Sequence, residues 1–211
     1  MSLIEEFSRQ TNTYIQKGYP AIAGITTDDF LKLLQPLEKQ LPKLTTAEVD
    51  LEQGRLPFVI VIKSNLVPTN KAMSAVNKDG KAGITKLFPL EPQDFTIIDD
   101  VDIPDNRVYL MVDIDRGKEN INLPPKTAMQ MIKQADRSPL TIDEGVAIVT
   151  LFPDFLIKNN CFSMLASRHV GDQRVPAIWI NGNKNPNLGW CWNGNPHTWL
   201  GSASCKARIG S

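Results

Sequence analysis

Residues 189–205, GWCWNGNPHTWLGSASC, decide how this chain is read. They hold three of its four tryptophans, two of its three cysteines and one of its two histidines. Around them, short apolar runs alternate with turn dipeptides. Residues 175–180 read as a strand, Asn181-Gly182 as a turn, and 188–192 as a second strand. Asn193-Gly194-Asn195-Pro196 then makes a four-residue turn into residues 197–200, so the tail is predicted to be an antiparallel meander. On that register Trp192 faces His197 and Trp190 faces Trp199. Alternation places Trp190, Trp192, His197 and Trp199 on one face, with Cys191 on the other.

Three chemistries compete for this tail. The tryptophan face makes a stacking platform for a flat small molecule or a protein partner, with His197 as proton donor or acceptor and Arg168 and Arg174 placed to clamp a carboxylate or phosphate. Alternatively, Cys191, His197 and Cys205 bind zinc, with Cys161 or His169 as fourth ligand, because every cysteine and histidine lies in the last quarter of the chain. There is no paired-cysteine knuckle to support it, and the register turns Cys191 away from His197. The same objection meets a Cys191–His197 nucleophile pair. The third reading is a structural or interaction protein without a small-molecule site, its tryptophans filling the core. No complete catalytic motif stands anywhere in the chain, so whether it is an enzyme stays open.

Outward from the tail, apolar residues at helical spacing predict a helix that ends at Gly18 and Pro20. Thr26 caps a second, with Phe30, Leu33, Leu34 and Leu37 as its stripe and Pro36 set to kink or close it. Residues 1–40 therefore form a helical N-terminal arm or cap. The uninterrupted run Phe58-Val59-Ile60-Val61-Ile62 reads as a strand buried on both faces, and residues 107–114 as another. The latter runs into Asp113 and Asp115, whose alternate carboxylates suit either a magnesium ion or a turn. Pro124-Pro125 opens a further helix, and Thr141-Ile142-Asp143-Glu144 is a capping box for the next. The expected class is α+β: N-terminal helices, a mixed central sheet and a C-terminal antiparallel meander, in a single domain over residues 1–211 whose part 161–211 is rich in Trp, Cys and His.

Composition narrows the function classes. Lys plus Arg equals Asp plus Glu at 23 each, so no net field draws in nucleic acid. The longest purely apolar run is five residues, far short of the roughly 20 needed to span a bilayer. An odd cysteine count and an acidic first segment without a signal peptide place the chain in a reducing cytoplasm.

The run RVPAIWI at 174–180, followed by LGWCWNGNPHTWLGSASC at 188–205, resembles an uncharacterised bacterial family known only as a domain of unknown function, with a GWCWxGNPHTWLGxASC motif. The likeness extends upstream through YLMVDIDRGKENINLPP and SPLTIDEGVAI to Tyr19. It implies one domain and carries over no catalytic residue, since that family has no established activity.

Overall fold

The computed structural model describes residues 2–44 and 48–210. Its helices are α1 (Leu3–Gln16), α2 (Tyr19–Ile22), α3 (Thr27–Glu38), α4 (Thr69–Ala75), α5 (Pro125–Gln134) and α6 (Ile142–Leu151). A four-stranded antiparallel sheet runs β1 (Arg55–Ile62), β6 (Val108–Asp115), β13 (Ser204–Ile209) and β7 (Ser138–Pro139). A five-stranded sheet runs β12 (Leu200–Ser202), β8 (Cys161–Ser163), β10 (Arg174–Ile180), β11 (Pro186–Trp192) and β4 (Ile84–Thr85). Two ribbons complete it: β2 (Asn77–Lys78) with β3 (Lys81–Ala82), and β5 (Phe95–Ile97) with β9 (Ser167–His169). The α+β class with N-terminal helices is as the sequence predicts.

The run at 58–62 is buried along its whole length, as expected, yet β1 is the edge of its sheet. Its free side is closed by side chains of α1. Gln10 is fully buried; its Oε1 accepts from Ile60 N at 2.8 Å and its Nε2 donates to Phe58 O at 3.1 Å. The Tyr14 hydroxyl donates to Ile60 O at 2.6 Å. A glutamine amide thus stands where another strand's peptide would, which protects an apolar edge from pairing with a second chain. Gln10→Leu should cost about 2–4 kcal/mol, one to two buried backbone groups left unpaired, read as a lower urea midpoint with unchanged slope. An unchanged midpoint would mean that water reaches the edge.

Pro36 sits in the last turn of α3, and the helix ends two residues later at Glu38, because a proline costs little where no further turn must form. The N-terminal helices pack onto the domain: Phe7, Tyr14, Phe30 and Leu34 belong to the same core as β1, α6 and β10.

The tail departs from its predicted register. β11 does pair with β10 as an antiparallel hairpin, Arg174 opposite Trp192 and Pro176 opposite Trp190. Its other side pairs with β4 only at Asn187 and Leu188, and residues 197–200 do not fold back beside it. After a tight turn, with Asn195 N donating to Trp192 O, the chain leaves the sheet. Its carbonyls at Asn193 and His197 accept from Lys126 N and Asn122 N, and it returns as β12, parallel to β8. The meander is therefore β8, β10 and β11, and the predicted pairing of 188–192 with 197–200 does not form.

Candidate functional site

Loss of that hairpin divides the expected platform. Alternation along β11 keeps Trp190 and Trp192 on one face and Cys191 on the other, as predicted. Trp190 and Trp192 meet edge to face, 5.1 Å between ring centroids, and the Arg174 guanidinium lies 4.6 Å from the first ring and 5.3 Å from the second. Asp172 pairs with Arg174 and, at 2.9 Å, with His169 Nδ1. Burial pulls the Asp172 carboxyl upward, but the Arg174 amide and charge, with His169, outweigh it and hold it low. Trp199 instead stacks on His197, at 5.1 Å, and on Trp179, at 5.9 Å. Trp179 lies over Gly189, where a Cβ would come within 2.2 Å of its ring, and so belongs to the opposite face. The structure thus brings together Trp190, Trp192 and Arg174, and separately His197 and Trp199.

Arg168 does not join Arg174 in a clamp. It is half-buried near Cys191, its guanidinium donates to Ser167 O, and burial lowers its pKa to about 10. The proposed zinc ligands are likewise dispersed. Cys205 lies in the four-stranded sheet, Cys161 and Cys191 are separated by β10, and His169 is engaged by Asp172. Among the described residues no three His, Cys, Asp or Glu side chains gather as a metal site. All three cysteines are free and buried; burial raises the Cys161 and Cys191 thiols and pushes Cys205 up to about 12, so none is primed as a nucleophile. Asp113 and Asp115 are also occupied, by Arg137 and Arg55, and Asp115 ties the turn at Gly117 N.

A concave site lies elsewhere, in a cleft of about 650 Å³. Where β1 ends, Lys63, Ser64 and Asn65 emerge on one side. Opposite them the first turn of α6 presents Asp143, while buried Tyr109, Thr141 and Ser167 form its base. Asn70, Gln93 and Phe95 complete the wall. The base is rigid because each polar group is spoken for. Thr141 Oγ1 accepts from Glu144 N, Tyr109 donates to Glu144 Oε1 at 2.9 Å, and Ser167 Oγ accepts from Ile142 N at 3.0 Å.

Asp143 Oδ2 accepts from both Ser64 N, at 2.9 Å, and Ser64 Oγ, at 3.1 Å. Burial pushes this carboxyl above the ordinary carboxylate range; the Ser64 bonds and, more weakly, the Lys63 charge oppose that, and the Glu144 charge adds to it. The Lys63 ammonium donates to Pro104 O and stands 6.0 Å over the Tyr109 ring. Neither histidine lines the cleft. From sequence, Asp143 reads as part of a capping box, but that box needs only Thr141 and Glu144. The second acid, together with a polar Lys-Ser-Asn triplet directly after a buried strand, was the available signal.

The sequence model of a family of unknown function, DUF5701, matches residues 13–211. The chain belongs to that family. Its match begins inside α1 and takes in every residue of the cleft and the whole aromatic tail. No curated protein and no solved structure matches the chain. Among the described residues no helix is long and apolar enough to cross a membrane.

Proposed function

We propose that this is a small-molecule-binding domain whose ligand occupies the Lys63–Asp143 cleft. The observation that carries the reading is the convergence of a half-buried carboxylate, an ammonium and several fixed hydroxyls on one concavity. Its volume lies within the range of small-molecule sites, roughly 300–1,000 Å³. The aromatic tail supports this role at a distance. Phe95 lines the cleft and packs on His169 at 6.3 Å, and His169 joins Asp172 and Arg174 to the paired tryptophans. Their outer surface favours a second reading, contact with a protein partner, because Trp192 is 41 % exposed and nearby Phe88 is 89 % exposed.

Screening polar metabolites by thermal shift tests the first reading. A ligand at about 100 times its Kd should add about 2.7 kcal/mol of stability. Asn65→Trp, at an exposed position on the cleft, should abolish that gain while leaving the unliganded melting temperature unchanged. Ligands that stabilise the blocked variant equally would place the site elsewhere.

A further inference from the structure

Lys63 and Asp143 line the same cleft, yet among the described residues neither forms an ion pair, with each other or with any third group. Each is held by neutral partners instead. Asp143 spends Oδ2 on the two Ser64 donors, and its Oδ1 takes no hydrogen bond from the described residues. Lys63 gives one of its three N–H donors to the Pro104 carbonyl. The neighbouring acid cannot neutralise the lysine, because Glu144 is consumed by Arg208, Tyr109 and the Thr141 amide. Two opposite charges therefore share the cleft, both half-buried, and although Lys63 is felt at Asp143 as a weak favourable charge, the two form no direct pair.

We infer that the ligand is a small zwitterion such as a free amino acid, its ammonium against Asp143 Oδ1 and its carboxylate against Lys63 Nζ. The inference rests on the cleft reading above and names the ligand class. A neutral polyol would leave both protein charges without counter-ions. A ligand of one sign would match one and leave the other uncompensated, which costs more in a cleft than in open water. Only a molecule carrying both signs completes the two pairs, and charge-assisted bonds at its two ends would fix its orientation.

Titration calorimetry of the full chain with the twenty α-amino acids, β-alanine and γ-aminobutyrate tests this. For the tightest binder, N-acetylation and Asp143→Asn should each weaken binding by about tenfold or more, and the two together by little more than either alone. Carboxyl amidation and Lys63→Met should form a second such pair. Asparagine keeps the acceptor for Ser64, and the modified ligands report on the native chain should a variant fold poorly.

If no amino acid binds up to about 10 mM, weaker than the usual range for a specific site, the zwitterion assignment is wrong. It is also wrong if polyols or simple anions saturate the cleft and Asp143→Asn leaves them unaffected; blockage by Asn65→Trp would then keep the cleft as the site. Amino acids binding Asn65→Trp as tightly as the native chain would remove both readings.

Discussion

Glu144→Ala is expected to lose about 3–5 kcal/mol of folding stability, the range for stranding one partner of a buried ion pair. The Glu144 side chain is completely buried and that of Arg208 only 5 % exposed. Arg208 Nε donates to Oε1 at 2.5 Å and its Nη2 to Oε2 at 3.0 Å, a two-point grip that point-charge attraction alone would not give. Burial by itself would lower the Arg208 guanidinium. The Glu144 charge and its bonds outweigh that and hold it above its ordinary value. The same carboxylate accepts from the Tyr109 hydroxyl and from Thr141 N, so alanine strands a cation, a phenol and the cap of α6 together.

Glu144→Gln should recover the cap and the phenol contact but not the charge, and so fall between the two. A Glu144→Leu, Arg208→Met double variant should regain much of the loss, because it removes the buried charge along with its partner. Equilibrium urea melts of the four proteins decide it. A single-variant loss under about 1 kcal/mol, the scale of exposed pairs, would mean that water already screens the site.

How much of this was legible in the sequence follows from how local each signal is. The run at 58–62 announced a strand because β-branched apolar residues without alternation fit little else. The N-cap at Thr26 and the capping box at Thr141 located the starts of α3 and α6, since each signal lies within one turn. The hairpin β10–β11 was legible through Asn181-Gly182, although its turn spans 181–185. What failed was the next step. Asn193-Gly194 does turn the chain, but no local rule says that the residues beyond it pair in parallel with β8 rather than fold back on β11. Non-local pairing decided the faces and so divided the tryptophans. The cleft was hidden for the same reason: Ser64 and Asp143 lie 79 residues apart and meet only because α6 packs along β1.

Arg116 carries the second large effect, and here the direction has to be argued. Its side chain is fully buried and forms no ion pair among the described residues. Burial lowers its pKa, against the pull of Cys161, Asp115 and Asp50. Deleting such a charge relieves a desolvation cost, so removal could in principle stabilise. The bonds it makes decide otherwise.

Nη1 donates to Leu51 O at 3.0 Å and Phe155 O at 2.8 Å, Nη2 to Glu52 O at 2.9 Å, and Nε to Asn160 Oδ1 at 3.1 Å, with the guanidinium 5.2 Å over the Phe155 ring. Hydrogen bonds to a charged group contribute about 1.5–3 kcal/mol each, and four of them exceed the effective cost of burying one ion. The planar fork also fixes the turn at 50–55, which closes through paired bonds between Asp50 and Arg55 and feeds directly into β1.

Arg116→Met should therefore cost about 3 kcal/mol or more, since Phe155 O is left inside without a donor. Leu51 O and Glu52 O lie in a turn at the surface and can recover water if that turn opens. Amide exchange at residues 50–56 should then accelerate well before global unfolding, while β10 and β11 stay protected. Arg116→Lys should lose nearly as much, because one ammonium cannot reach four acceptors spread around a plane. Equal stability of the methionine variant and the native chain would show that desolvation wins at this site, and that the turn is held by its own backbone bonds.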